Sequence, residues 1–209
     1  MELHQIKIRS SDCAIVDATI IRSAGSKLKK SVEVQEDGNI VDTPASKDAE
    51  ARWTIKDSSR HLGFKGHIQT DAGGFVEQVA VTPANAADVN HFECFSDKIK
   101  EGRKVFADKG YDSKHNREEL KNRELKDGIM KKSHRNQPLT REDIERNKQL
   151  SKTRYVIEQT FAILHRRFRC KRASYFGVAK VRGQMLLKSM CLNLLKAANK
   201  IRINAPSFA

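Results

Sequence analysis

The chain is poor in acidic residues, aromatics and proline, and it contains no long apolar run. Asp and Glu number 26 against 40 Lys and Arg, a formal net charge of +14 over 209 residues. With an isoelectric point near 9.8, the balance favours a nucleic acid or another anionic surface as partner and says nothing about fold. Aromatics make up 6% of the residues and do not interleave with the basic run, which argues against an RNA-binding platform of stacked rings. No apolar stretch reaches the ~20 residues of a membrane span, and no secretory leader is recognisable. A cytoplasmic protein with no membrane partner is expected. The four cysteines (Cys13, Cys94, Cys170, Cys191) form neither a CxxC pair nor a metal-ligand spacing, and read as reduced, mostly buried thiols. Hydrophobic residues, 38% of the chain, suffice for one sizeable core.

Strand and helix signals alternate along the chain. Residues 12–21 are rich in β-branched side chains and read as a strand interrupted by Asp17. The polar stretch 25–60 carries turn signals and is expected to be an irregular excursion. Gly63–Thr70 and Phe75–Thr82 form a hairpin pattern around Asp71-Ala72-Gly73-Gly74. Residues 86–100 read as an amphipathic helix, 103–107 as a short strand, 113–124 as a helix and 128–131 as another strand. The stretch 132–150 is basic and reads as a linker or insertion; helices are expected over about 140–168 and 178–201. This order predicts an α/β fold, a mixed sheet flanked by helices, over residues 12–200. Residues 1–11 form a lead-in and 201–209 a flexible tail.

Three acids stand out. Asp17 lies in Ala14-Ile15-Val16-Asp17-Ala18-Thr19, Asp108 ends Val105-Phe106-Ala107-Asp108, and Glu158 sits in the helical pattern of Val156-Ile157-Glu158. Carboxylates in apolar surroundings are costly without positive compensation, and acids at strand ends converge on the crevice of an α/β sheet. Oxygen donors with no Cys or His cluster point to Mg²⁺, or Mn²⁺ in its place. Such ions act on in-line displacement at phosphorus. On a helix, Arg154 lies one turn before Glu158 and His165 two turns after, on one stripe. The same spacing equally describes an exposed ion pair, and Asp17 and Asp108 equally describe turn or cap residues. Between Lys131 and Arg172 the chain has thirteen Lys and Arg against four acids. This run includes Arg166 and Arg167, and marks either a solvated face or a phosphate-backbone surface.

Five motifs occur in order: Val16-Asp17-Ala18-Thr19-Ile20, Gly63-Phe64-Lys65-Gly66-His67, Thr82-Pro83-Ala84-Asn85, Ala107-Asp108-Lys109-Gly110-Tyr111, and Arg154-x-x-x-Glu158. Together they resemble the DDE transposases of bacterial insertion sequences, the insertion-sequence-five family, over about residues 12–200. The resemblance implies an RNase H-like fold with Asp17, Asp108 and Glu158 as a metal-binding catalytic triad. It also implies cleavage of element-end DNA by water, attack of the freed 3′-hydroxyl on target DNA, a homodimer in the DNA complex and a nucleoid location. Arg154, His165, Arg166, Arg167, Lys109, Tyr111, Lys65 and His67 are the expected DNA contacts. The family's signature around the third acid has a Tyr where this chain has Ser151 and a Lys where it has His165. An N-terminal helical domain that recognises the element ends has no counterpart ahead of Asp17. A basic DNA-binding remnant without turnover, or a general RNase H-like nuclease, are the alternative readings.

Overall fold

A ten-residue strand with three consecutive fully buried side chains runs through the middle of the molecule. In the computed structural model, which describes residues 12–25, 32–34, 40–42, 47–135 and 137–204, this strand is β1, Cys13–Arg22. The lead-in 1–11 and the tail residues 205–209 lie outside the described residues. Ala14, Ile15 and Val16 are all fully buried, so both faces of β1 are covered and the strand must be central rather than at an edge.

The other strands are β2 (Val32–Val34), β3 (Ile40–Asp42), β4 (Arg52–Lys56), β5 (Ser59–Thr70), β6 (Val76–Pro83), β7 (Lys104–Ala107) and β8 (Lys126–Ile129). Six form one sheet in the order β4-β5-β1-β7-β8, with β6 also paired to β5; β2 and β3 form a separate hairpin. β5 pairs antiparallel with β4 along its first residues and with β6 over Phe64–Thr70. β1 runs antiparallel to β5 and parallel to β7, which is parallel to β8. An antiparallel meander thus leads into two parallel crossovers, a mixed α/β sheet of RNase H-like form.

The helices are α1 (Glu93–Ser96), α2 (Lys114–Asn122), α3 (Arg141–Arg166) and α4 (Val178–Asn204). On one face of the sheet, Ile15, Ile21, Phe64 and Ile68 pack against Leu150, Ile157, Phe161 and Leu164 of α3 and Val181, Met185 and Leu192 of α4. On the other, Ala14, Val16, Val105 and Ile129 pack with Phe92, Phe95, Tyr111 and Leu120 of α2. Each fully buried aliphatic or Phe side chain contributes roughly 1.5–3 kcal/mol, so strand parity decides which layer every residue of β1 joins. Asp17 shares parity with Ile15 and therefore faces α3.

Several expectations need correction. The stretch 25–60 is not wholly irregular, since it holds β2, β3 and β4. Residues 86–100 contain only a 3₁₀ turn, Asp88–His91, and one turn of α1. The supposed linker 132–150 ends in the first turns of α3, which starts at a reciprocal cap: Thr140 Oγ1 accepts from the Asp143 N–H at 3.1 Å and Asp143 Oδ2 from the Thr140 N–H at 3.4 Å. Residues 201–204, assigned to a tail, continue α4. Cys94 and Cys191 are exposed, and only Cys170 is buried.

Candidate active site

The parallel pairing of β1 with β7 sets Val16 beside Ala107, so Asp17 and Asp108 come next to each other. β7 ends there, whereas Asp17, expected at a strand end, lies in mid-strand because β1 runs on to Arg22 paired with β5. Each carboxylate first accepts from the backbone that follows it. Asp17 Oδ1 takes the Ala18 N–H at 2.8 Å, and Asp108 Oδ1 takes the Lys109 N–H at 2.7 Å as the cap of a 3₁₀ turn.

The third element is α3. Its buried positions Leu150, Arg154, Ile157, Phe161 and Leu164 follow the alternating three- and four-residue spacing of a core-facing stripe, and the second is a charged one. Arg154 is 8% exposed and reaches across the sheet face. Its Nη2 donates to Asp17 Oδ2 at 2.8 Å, and Nη1 lies 3.3 Å from Asp108 Oδ1. Expected to orient Glu158 or to meet DNA, Arg154 is instead committed to the two aspartates. Burial raises the pKa of Asp17, and the Arg154 charge and Ala18 N–H oppose that rise while Asp108 adds to it. The guanidinium thus supplies the compensation that two close, partly buried carboxylates require.

Glu158, one turn after Arg154, is exposed and lines the same cleft as Asp17, Asp108, Arg154, Thr19, Lys56 and His165, an opening of about 460 Å³. Further along α3, His165 Nε2 lies 3.2 Å from Thr19 Oγ1, and its ring stacks on Phe161. Burial lowers the His165 pKa, assisted by Lys171 and Lys56, so the imidazole is neutral at pH 7. A larger groove of about 660 Å³ lies between β6, α1 and α4. Its charges do not converge: Glu77 is held by Arg103 and Glu50 accepts from the Val178 N–H.

Donor type in the cleft fits a hard divalent cation, being all carboxylate oxygen with no thiolate. Asp108 Oδ2 and both Glu158 oxygens have no protein partner among the described residues. Those residues do not, however, gather three His, Cys, Asp or Glu side chains around one point. The positive charge between Asp17 and Asp108 is that of Arg154.

Three expected DNA contacts are displaced. Lys65 and His67 do share a face, but the register Asp17↔Ile68 and Ala18↔His67 puts that face on the far side of the sheet from Asp17. There Lys65 pairs with Asp88 at 3.0 Å, and His67 is fully buried with Nε2 3.0 Å from Thr82 Oγ1. Tyr111 is 1% exposed and packs on Phe92, because the 3₁₀ turn after Asp108 tucks it under β7. Lys109, Arg166 and Arg167 are exposed. Sequence reasoning missed Lys56, which sits at the end of β4. The alternation Trp53-Thr54-Ile55-Lys56 before Asp57-Ser58 was the available signal.

None of the helices among the described residues is long and apolar enough to cross a membrane. Residues 9–194 match the family described as the transposase DDE domain. The chain is 51% identical over 205 residues to the transposase for insertion sequence element IS1106 of Neisseria meningitidis serogroup B, covering 98% of this chain and 70% of the relative. It is 32% identical over 152 residues to the putative transposase for insertion sequence element IS402 of Burkholderia cepacia, 66% of this chain and 67% of the relative. With an α/β sheet that sets Asp17 of β1 beside Asp108 at the end of β7, and a family match along nearly its whole length, the chain belongs to the DDE-domain transposases of insertion sequences.

Proposed function

We propose that residues 12–200 form a catalytic domain that cleaves DNA at insertion-sequence ends and joins the freed 3′-hydroxyl to target DNA. One observation carries this reading: Asp17, Asp108 and Glu158, separated by up to 141 residues of sequence, line a single cleft with Arg154 at its base. In the first step a water oxygen bonds to phosphorus as the bond to the 3′ oxygen breaks. In the second, the liberated 3′-hydroxyl attacks a target phosphodiester and displaces its 3′ oxygen. A Mg²⁺ or Mn²⁺ ion held by Asp17, Asp108 and Glu158 would stabilise charge on the attacking and leaving oxygens.

The protein's own part is positional. Arg154 fixes the rotamers of both aspartates, and its charge opposes the rise that burial imposes on the Asp17 pKa. Glu158 stands on the opposite wall, carried by a helix whose buried stripe locks its azimuth. Lys109, Arg166 and Arg167 offer exposed positive charge around this opening to a DNA backbone, and neutral His165 can donate one hydrogen bond to a phosphate oxygen.

The test is cleavage and strand transfer on duplex DNA bearing the ends of the parent element, with Mg²⁺ or Mn²⁺, for the wild type and Asp108→Asn. Metal-dependent products in the wild type, none above background in the variant, and equal DNA binding by both is the expected result. Tight binding without products in the wild type would overturn the catalytic reading in favour of a DNA-binding protein that does not turn over.

A further inference from the structure

The cleft has three cationic or potentially cationic residues along its lining: Arg154, His165 and Lys56. Arg154 is spent on Asp17 and Asp108. His165 is half-buried and bonded to Thr19, and its neutral ring brings no charge at pH 7. Lys56 is exposed and makes no ion pair among the described residues, so of these three lining residues it is the one whose charge is available to an incoming anion.

Its placement is fixed by the chain. Lys56 is the last residue of β4 and pairs with Ser59 at the start of β5. The two residues between them, Asp57 and Ser58, have φ of 50° and 60°, the left-handed pair of a tight two-residue hairpin turn. That turn suits the twist of the flanking strands, so the hairpin end is a stiff projection rather than a slack loop. Lys56 lines the cleft with Thr19 and His165 at the end remote from Asp17, because β4 pairs only with Ser59–Gly63 of β5 while Asp17 lies opposite Ile68.

We propose that Lys56, Thr19 and His165 form a subsite at the outer end of the acidic cleft that takes a phosphate of the DNA backbone. The proposal rests on the reading of the cleft as a DNA site. Lys56 supplies the charge, and the bonded Thr19–His165 pair, with one of its two protons held in the mutual bond, supplies one hydrogen bond from the other. A phosphate held there is fixed at a set distance from the three acids, so the neighbouring phosphodiester is presented to them. Lys56 is thus a positioning residue that binds the substrate strand beside the reacting phosphate.

The experiment measures binding of the whole chain to a fluorescent duplex oligonucleotide without divalent metal, across a salt series. Wild type, Lys56→Ala, Lys56→Arg and Lys121→Ala are compared, Lys121 being an exposed residue of α2 on the other side of the sheet. Loss of one phosphate contact should lower the log–log salt slope by about 0.9 and weaken binding about fivefold at about 0.15 M salt. Lys56→Ala should show both effects, Lys56→Arg should restore them, and Lys121→Ala should match wild type. Thermal melting confirms folding, and Lys56→Arg reports on contact even if the Ala variant melts early. Equal slopes for Lys56→Ala and wild type would overturn the subsite while leaving DNA binding intact. A wild type that binds no duplex would overturn the DNA reading itself.

Discussion

Arg154 occupies a position that helical periodicity reserves for an apolar side chain, and that substitution is the local origin of the site. Removing it leaves two adjacent carboxylates, one of them largely buried, with no counter-charge. Breaking such a pair by deleting one partner is costly because the other charge stays behind. Arg154→Ala should therefore lower unfolding stability by about 3 kcal/mol at pH 7. In an Asp17→Asn background the same change should cost well under half as much, as measured by urea denaturation of the four proteins. Equal costs in both backgrounds would show that the two residues are not coupled. A second residue-scale prediction concerns His67. Burial lowers its pKa to about 4, with His91 and Lys65 adding to the effect and Asp88 opposing it. Between pH 6.5 and about 4 the unfolded chain takes up a proton that the folded protein refuses, so stability falls as the pH falls. The loss amounts to about 3 kcal/mol over that window. His67→Gln, which keeps a partner for Thr82, should flatten the pH dependence of the urea midpoint relative to wild type; parallel curves would sink the assignment.

At the scale of elements, the junction at Gly63 governs how the sheet is put together. Gly63 pairs with Arg22 of β1 and Arg52 of β4, and its carbonyl accepts from Ala84 after β6. A Cβ built there would lie 2.1 Å from the Ile21 carbonyl oxygen and 2.7 Å from the Ser23 nitrogen. Both are backbone atoms that cannot swing aside, so Gly63→Ala should cost ~3 kcal/mol or more and separate the β4–β5 hairpin from β1. A thermal midpoint within a few degrees of wild type would refute this. The same strands show what could be read from the chain without coordinates. The central strand, the β5–β6 hairpin, β7, α2 and the two long helices were legible, because apolar periodicity and turn residues are local signals. The face of β5 was not. Period-two alternation shows that Lys65 and His67 point the same way, but pairing with β1 decides which way that is. β4 was missed because its apolar-polar alternation is only four residues long, Trp53 to Lys56, and sits inside a polar stretch rich in turn residues. The helix expected over 86–100 failed for the opposite reason: Phe92 and Phe95 are buried, but in successive short turns rather than on one helical stripe.

For the molecule as a whole, the site is made by elements far apart in sequence, and the family motifs were what made it legible. Composition located a polyanion partner and motif order located three acids, yet neither disclosed that Arg154 stands between two of them. The hydrogen bond from Arg154 to Asp17 spans 137 residues, and no segment shorter than that contains both walls of the cleft. Protein synthesis proceeds at roughly 5–20 residues per second, so a growing polypeptide carries Asp17 for roughly 7–27 s before the ribosome reaches Arg154. Through that interval the first wall is exposed with nothing to set it against. A message broken before the Arg154 codon yields a product with at most two of the three acids and without the part of α3 that carries Arg154 and Glu158. On the reading proposed above, translation products that stop short of Arg154 are harmless to the chromosome that encodes them, and the ability to cut arrives only once the second half of α3 has been made.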